Sequence, residues 1–530
     1  MSRYHSYPPN LTAEQLSYLI ASFTDYALSH GLIVRPAPTF IPTNPSNSLA
    51  TPAPVTLWPS PFPRTHFEEA RSLQPFCNLL YARVASDQSW LGALSTSLSL
   101  VDDFISKLWA IHTRLKSENG YHHKYSLGLF RSDYMVHTSD LEFAPLGIRQ
   151  VEFNTIASSF GALASKVSEL HRYLWRSGAY PPTAEYINDL SLPRNEALEK
   201  LAEGLAKAHE VYIQDVAPDA KYTLESAASV GPNSSYGIMF VIQDGERNAF
   251  DQRWLEYHLT QKYGIRVFRV TFDEIRKYTH HVRPNFELLF VPPHAFDGKK
   301  QQVYEISVVY FRAGYGPGDY PGQEEWNTRY FLEESRAIKC PTILTQLAGS
   351  KKVQQVLADK QNLEKFIGNE RGEEGVAERI FETFAAIYPM DESEAGLKAR
   401  KLAFEEPHRF VLKPQREGGG NNIYKDKIPD FLRGLDEELW QGYILMELIR
   451  PPEVENLVMR NGEMMQGKVV GELGVYGAVI WKDAEDGEPG DIDIVYNEES
   501  GVLLRTKGSS SEEGGVAAGF GCVDSCILVD

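Results

Sequence analysis

Apolar residues set the first element. After Thr12, with Gln15 three positions on, Leu16, Leu19, Ile20, Phe23 and Ala27 fall on one face and Gly31 stands where a helix stops. This spacing predicts an amphipathic helix that opens on a capping box. Ala197, Leu198, Leu201, Ala202, Leu205 and Ala208 repeat the pattern and predict a helix over 195–209. Between them the proline-rich stretch 36–63 is neither regular helix nor central strand. With Leu57, Trp58 and Phe62 in it, it is expected to run extended and packed across a neighbouring element.

Short apolar runs at 238–242, 267–271, 288–291 and 306–311, with helical spacing over 252–262, predict a small sheet with crossover helices between about 230 and 345. Further strands are expected at 410–413, 443–447, 468–476 and 501–506, a long helical span at 351–403 and an exposed acidic excursion at 483–500. No repeat of solenoid period is present. The class is α/β, in three parts: 1–229, 230–345 and 346–530.

Composition narrows this little. A 530-residue chain that is 42% hydrophobic and 12% aromatic has ample core for several globular units. The formal charge of −18 argues against binding nucleic acid or an anionic membrane, while leaving room for a small anionic ligand. Cys77, Cys340, Cys522 and Cys526 lack the paired spacing of a zinc site and are read as reduced thiols. The first residues, MSRYHSYPPN, lack a signal-peptide core, and no run reaches membrane-span length, so a cytoplasmic protein with no membrane partner is expected.

The chemistry concentrates in FVLKPQREGGGNNIY, 410–424. A short strand delivers Lys413 and Arg416 to a turn in which Gly418, Gly419 and Gly420 let backbone N–H groups approach an anion. Glu417 beside them is placed to bind a metal bridging phosphates. The competing reading is a flexible turn beside a solvated Lys/Arg pair. The run is neither a Walker A loop nor a dinucleotide fingerprint, and Pro317 and Pro321 exclude a helix opening after Gly314-Tyr-Gly316-Pro-Gly318.

Three further segments carry candidates. Glu152 and Asn154 alternate on a predicted strand after Arg131-Ser-Asp-Tyr-Met135, as paired oxygen ligands for a hard cation or as the polar face of an edge strand. Arg312 ends a strand as a carboxylate clamp or as a surface cap. The run Gly514 to Gly519, with Arg505 and Lys507 upstream, is a closing loop or a plain hairpin. His122-His123 and His280-His281 are read as solvated loop residues.

Taken together, VEFNTIASSFGAL (151–163), VVYFRAGYGP (308–317), QLAGSKKVQQ (346–355), FVLKPQREGGGNNIY (410–424), YILMELI (443–449) and LLRTKGSSSEEGGVAAG (503–519) resemble, in order along the chain, the eukaryotic glutathione synthetase family. The resemblance implies an ATP-grasp fold of mixed sheets with glycine-rich lid loops and an inserted smaller α/β substrate-binding domain. It also implies joining of γ-glutamylcysteine to glycine through an acyl phosphate made from ATP, with Mg2+ as cofactor, in a cytoplasmic homodimer.

By that resemblance Glu152, Asn154 and Glu417 match metal ligands. Glu152, Lys351, Lys413, Glu417, Gly418, Gly419, Gly420, Asn421, Asn422, Tyr424, Met446, Glu447, Leu448, Ile449, Glu472, Lys507 and Glu513 match ATP-binding positions. Arg131, Ile156, Ala157, Ser158, Ser159, Glu246, Gln252, Arg312, Tyr315, Arg505, Val516 and Ala517 match the γ-glutamylcysteine site. Arg131 and Arg505 are the expected catalytic residues, because spreading charge over a phosphoryl-transfer transition state needs guanidinium groups.

Three positions depart from the family pattern: Ala157 for a frequent Ser, Leu448 for a frequent Lys and Glu513 for an Asp. The pair Ala517 and Ala518 favours glycine as acceptor over β-alanine. The alternatives are a homoglutathione synthetase or related ATP-grasp ligase with another amine, and a catalytically silent nucleotide-binding relative.

Overall fold

The computed structural model describes residues 7–44, 47–118, 120–138, 146–216, 236–294, 296–297, 300–368, 375–512, 516 and 521–530. Its centre is a 13-stranded mixed sheet. The middle strand, Ser126–His137, pairs along one edge with Glu463–Asp483, from Leu473↔Tyr134 to Trp481↔Ser126. Its other edge forks. The first residue meets Ile338–Cys340, and from Arg131 onward it pairs with Gly147–Asn154. Such a fork opens space at the centre of a sheet, and the candidate residues gather there.

On one side of the fork Glu463–Asp483 is followed by Ile492–Gly508, Gly521–Asp524, Val55–Thr56 and Val454–Arg460, and the last of these pairs back on Glu463–Asp483, closing a ring. On the other side the parallel strands Tyr304–Phe311, Tyr236–Val241 and Arg266–Val270 extend the same sheet. These are the strands expected in the α/β unit at 230–345. A second, antiparallel sheet runs Ile387–Pro389, Tyr443–Glu447, Phe410–Pro414, Ile423–Tyr424. One of its faces packs Phe410, Leu412 and Leu445 against Ala399, Ala403, Ile428 and Leu432 of two helices. The other presents Val411, Ile444 and Met446.

The first helix spans Ala13–Ser29, and its capping box forms: Thr12 Oγ1 accepts from Gln15 N at 3.3 Å, and Gln15 Oε1 accepts from Thr12 N at 2.9 Å. Leu57, Trp58 and Phe62 are buried, as an extended but packed segment requires.

Two expectations need correction. The span 351–403 is not one helix but Lys351–Leu357, Lys360–Ile367, Val376–Thr383 and Glu394–Glu405 with the strand Ile387–Pro389 between. Asp359 and Ser393 accept backbone N–H bonds as N-caps and so restart the chain there. The acidic stretch 483–500 is strand from Ile492 onward, paired as far as Asp483↔Ile492. Ile492 and Tyr496 pack on core clusters, Asp491, Asp493 and Glu498 are exposed, and Glu499 turns in to pair with Arg71 and Lys200.

Candidate active site

Strand register brings the distant segments together. Across the fork Arg131 lies opposite Asn154 and Asp133 opposite Glu152, while on the other edge Asp133 lies opposite Gly474. Two residues back on that neighbour is Glu472, which lies opposite Arg505 on the next strand. Residues two apart on a strand share a face, and directly opposite residues share it too. Arg131, Asp133, Glu152, Asn154, Glu472, Arg505 and Lys507 therefore stand on one face.

Gly474 is needed here for space. A Cβ at that position would lie 2.7 Å from Arg131 Cδ and 2.8 Å from Asp133 Oδ1.

Glu152 and Glu417 converge on one point. Lys351 Nζ donates to Glu152 Oε2 at 2.9 Å and to Glu417 Oε1 at 3.0 Å. Burial pushes the Glu152 carboxyl up, but Lys351, Lys413 and Arg505 outweigh it and hold this group well below the usual carboxylate range. Glu417 goes the other way, to about 7, because burial and the neighbouring Glu152 charge prevail over Lys351. The Lys413 ammonium, donating to Val151 O at 2.8 Å, is pushed down to about 8 by burial, against the pull of Glu152.

Among the described residues no group of three or more His, Cys, Asp or Glu could hold a metal ion by itself. Two converging carboxylates with the Asn154 amide nearby are nevertheless hard oxygen donors, which suits Mg2+ when phosphate oxygens and water complete the shell.

A cleft of about 470 Å³ lies between the two sheets. Val151, Val411, Met446, Leu448 and Ile449 give it apolar walls, and Glu152, Lys351, Lys413, Glu472, Arg505 and Lys507, clustered by the strand pairing and hydrogen bonds above, give it a charged end. Gly418, Gly419, Asn421, Asn422, Tyr424 and Glu447 also line it. A flat ring against the apolar walls with anionic groups at the charged end is the ligand shape this cleft fits.

Gly418 has φ +81°, and a Cβ there would lie 3.1 Å from the Tyr315 ring, so the loop turns against the segment that carries Tyr315. Asn421 Nδ2 closes the loop on Glu417 O and Gly418 O, at 3.4 and 3.3 Å. Gly420, also at positive φ, belongs to this loop but not to the cleft wall. Arg416 corrects the sequence reading. Its guanidinium borders the cleft but is tied to Asp102 Oδ2 at 2.5 Å and Gln415 O at 2.7 Å, so it anchors the stem of the loop.

A second polar cluster adjoins the arginine face. Arg131 Nη1 donates to Ser159 O at 3.2 Å, and Arg312 donates to Ser158 O at 3.0 Å and Ser159 Oγ at 2.6 Å. Ala157, at φ +52°, and buried Ile156 complete this turn. Gln252 Nε2 bonds Glu246 Oε2 at 3.1 Å, and Tyr315 OH accepts from Gln243 Nε2 at 3.1 Å. Ser158 Oγ, Arg312 Nε, Arg269 Nη1 and Asn248 Oδ1 are buried with no hydrogen-bond partner. Orphaned polar atoms gathered in one place mark a site for a polar ligand or ordered water.

Val516 is buried in the main core cluster rather than lining the cleft. Glu513 and Ala517, with Ala518, lie outside the described residues.

Sequence reasoning missed several groups. Asp133 accepts from Arg131, Arg505 and Asn154. Asp251 accepts from the N–H groups of Phe160, Ala162 and Leu163 and so caps the helix Gly161–Arg176 that follows the turn from Ile156 to Ser159. Arg269 reaches Gln252 at 2.8 Å, and Tyr476 OH bonds Ser159 O at 2.5 Å. The arrangement R-S-D in 131–133 was the one available signal, since period two puts its Asp beside its Arg. Two of the histidines also differ from expectation, while His280 is exposed as expected: His122 stacks on Phe286 and His281 on Phe331, at 3.8 and 3.9 Å between ring centres.

Comparison with known proteins bears on all of this. A family model described as "Eukaryotic glutathione synthase, ATP binding domain" matches residues 13–528. The glutathione synthetase large chain of Schizosaccharomyces pombe is 37% identical over 525 residues, covering 98% of both chains. The glutathione synthetase of Homo sapiens is 37% identical over 514 residues, covering 97% of each. A glutathione synthetase-like effector structure from Globodera pallida, 21% identical, superposes with a TM-score of 0.70 over 98% of each chain, which shows a shared fold.

Proposed function

This chain belongs to the eukaryotic glutathione synthase family, and we propose, on that premise, a residue-level account of how it joins γ-glutamylcysteine to glycine. It is an ATP-dependent C–N ligase with an ATP-grasp type of α/β fold, and its product is glutathione.

The observation that carries the site reading is the juxtaposition of two clusters. The charged end of the cleft, with Glu152, Glu417, Lys351 and Arg505, adjoins the Arg131, Arg312 and Ser158 cluster. In our reading ATP takes the cleft, its base on the apolar wall at Met446 to Ile449 and its phosphates against Lys351, Lys413, Lys507 and the Gly418 to Asn422 loop. γ-Glutamylcysteine takes the turn from Ile156 to Ser159, with Glu246, Gln252, Arg312 and Tyr315.

The cysteinyl carboxylate oxygen bonds to the γ-phosphorus as the bond to ADP breaks, giving an acyl phosphate. The glycine amine then attacks the acyl carbon, phosphate leaves and the amine nitrogen loses a proton. Arg131 and Arg505 stand where two anions must approach, and guanidinium groups offset their repulsion. Glu152, Asn154 and Glu417 would hold Mg2+, which when bound neutralises charge on the transferring phosphoryl group. No protein nucleophile is needed; positioning and charge supply the catalysis.

We further propose the division at about 230 and 345, glycine as acceptor, a homodimer and a cytoplasmic location. No helix among the described residues is long and apolar enough to cross a membrane.

The test is ADP formation by the purified protein with each component omitted in turn. Turnover should require ATP, Mg2+, γ-glutamylcysteine and an amine together, with glycine faster than β-alanine at equal concentration. Faster turnover with β-alanine would reject the acceptor assignment.

A further inference from the structure

Asp133 is fully buried on the central strand, and each of four hydrogen bonds to its carboxylate comes from a proposed site residue. Oδ1 accepts from Arg131 Nε at 2.6 Å. Oδ2 accepts from Arg131 Nη2 at 2.9 Å, Arg505 Nη2 at 2.8 Å and Asn154 Nδ2 at 2.9 Å. We propose that Asp133 is a positioning residue that holds both catalytic arginines side by side and turns the Asn154 amide so that its oxygen is offered to the metal.

Two guanidinium groups aimed into one site repel each other. Asp133 bridges the two and relieves that repulsion, and Glu472 pairs with Arg505 beside it. Arg131 meets Asp133 through two nitrogens, a forked contact that fixes the plane of the guanidinium as well as its position.

The effect on Asn154 is one of orientation. Its Nδ2 makes both of its bonds inward, to Asp133 Oδ2 at 2.9 Å and Arg131 O at 3.3 Å. An amide nitrogen has two hydrogens, so both are used, and Oδ1 is the end left to face a cation. Were the amide turned over, its oxygen would face a carboxylate and a carbonyl with no hydrogen between. Partners behind the ligand set the ligand's orientation in metal sites generally, and their loss typically weakens metal affinity 10–100-fold.

Gly474, directly opposite Asp133, leaves the space for this arrangement, because a methyl group there would meet both Arg131 and Asp133. The inference rests on the proposed function for the roles of Arg131, Arg505 and Asn154, but its first readout is metal binding rather than turnover.

The experiment compares Mn2+ binding, by electron paramagnetic resonance in the presence of a non-hydrolysable ATP analogue, for the full chain and Asp133→Asn. We expect Mn2+ affinity to fall about 10–100-fold and kcat to fall with it, while affinity for the analogue without metal stays near that of the unmodified protein. In an Asn154→Ala background, Asp133→Asn should cause no further loss of Mn2+ affinity, because the route through the amide is already gone.

Unchanged Mn2+ affinity in Asp133→Asn, or a full additional loss on the Asn154→Ala background, would overturn the proposal. If Asp133→Asn does not fold, Gly474→Ala displaces the same carboxylate without removing it. It should also weaken Mn2+ binding, and wild-type affinity there overturns the proposal as well. Failure of the function reading looks different: the unmodified protein would bind Mn2+ and nucleotide yet make no ADP with γ-glutamylcysteine and glycine.

Discussion

The carboxylates of Glu152 and Glu417, from distant parts of the chain, meet on one nitrogen: Lys351 Nζ lies 2.9 Å from the first and 3.0 Å from the second. A lysine so placed competes with a divalent cation for the same oxygens. Lys351→Met should therefore melt at lower temperature without metal, since two half-buried carboxylates lose their shared buried counter-charge, at a cost of about 3 kcal/mol. Added Mn2+ should raise the melting temperature of the variant more than that of the unmodified protein. Calorimetry with and without Mn2+ decides, and equal increments would exclude competition.

Lys413, which the proposed function sets against the nucleotide phosphates, predicts a pH dependence of binding. Burial brings its ammonium down to about 8, and only the charged form can pair with phosphate. Above pH 8, affinity for a non-hydrolysable ATP analogue should fall by up to about tenfold per unit more than it does in Lys413→Arg. The variant should lack that extra fall, because a guanidinium stays charged throughout. Isothermal titration from pH 6.5 to 9.5 measures both.

Asp524 gives a pH dependence of stability. It accepts from Ser60 Oγ at 2.6 Å and Thr506 Oγ1 at 2.7 Å, tying down the strand between Arg505 and Lys507. Burial raises its carboxyl from 3.8 to about 6 despite these bonds. The folded state thus holds a proton that the unfolded chain has lost between those values. The contribution is full below about pH 4 and is lost as pH rises through 6, a difference of about 3 kcal/mol. Relative to the protein with Asp524→Asn, the unmodified chain should lose that much stability between pH 4 and 7.5 in urea melts; parallel curves would count against it.

All four cysteines are free and buried, and burial pushes the Cys77 thiol to about 11 and the Cys340 thiol to about 12. Thiolate is the reactive form, so these groups should be inert toward thiol reagents in the folded protein. A chromogenic disulfide such as Ellman's reagent should label none in buffer and all four in guanidinium, with turnover unaffected by prior treatment. Fast labelling of even one folded-state thiol would contradict this.

Local pattern was legible wherever one segment carried it alone. The Thr12 capping box, the strands at 238–242 and 443–447 and the glycine turn after Lys413 could be read because caps, period two and positive φ are properties of neighbours in sequence. Misreadings came where one cue was overridden by another. In 351–403 the cap residues Asp359 and Ser393 interrupted a helical composition, and in 483–500 pairing with the neighbouring strand and the packing of Ile492 and Tyr496 outweighed acidity.

By itself the sequence determined the family, through six collinear segments, and it singled out the glycine loop after Lys413 and the carboxylates Glu152 and Glu417 as the candidates on which the proposed site is built. Tertiary structure alone decided that Lys351 would sit between those carboxylates, that Arg416 would turn to Asp102, and that Asp133 would gather Arg131, Arg505 and Asn154. The physical reason is register. Alternation along a strand says which face a side chain takes, but its partners lie on other strands, and only the pairing of those strands in the folded sheet sets them opposite one another.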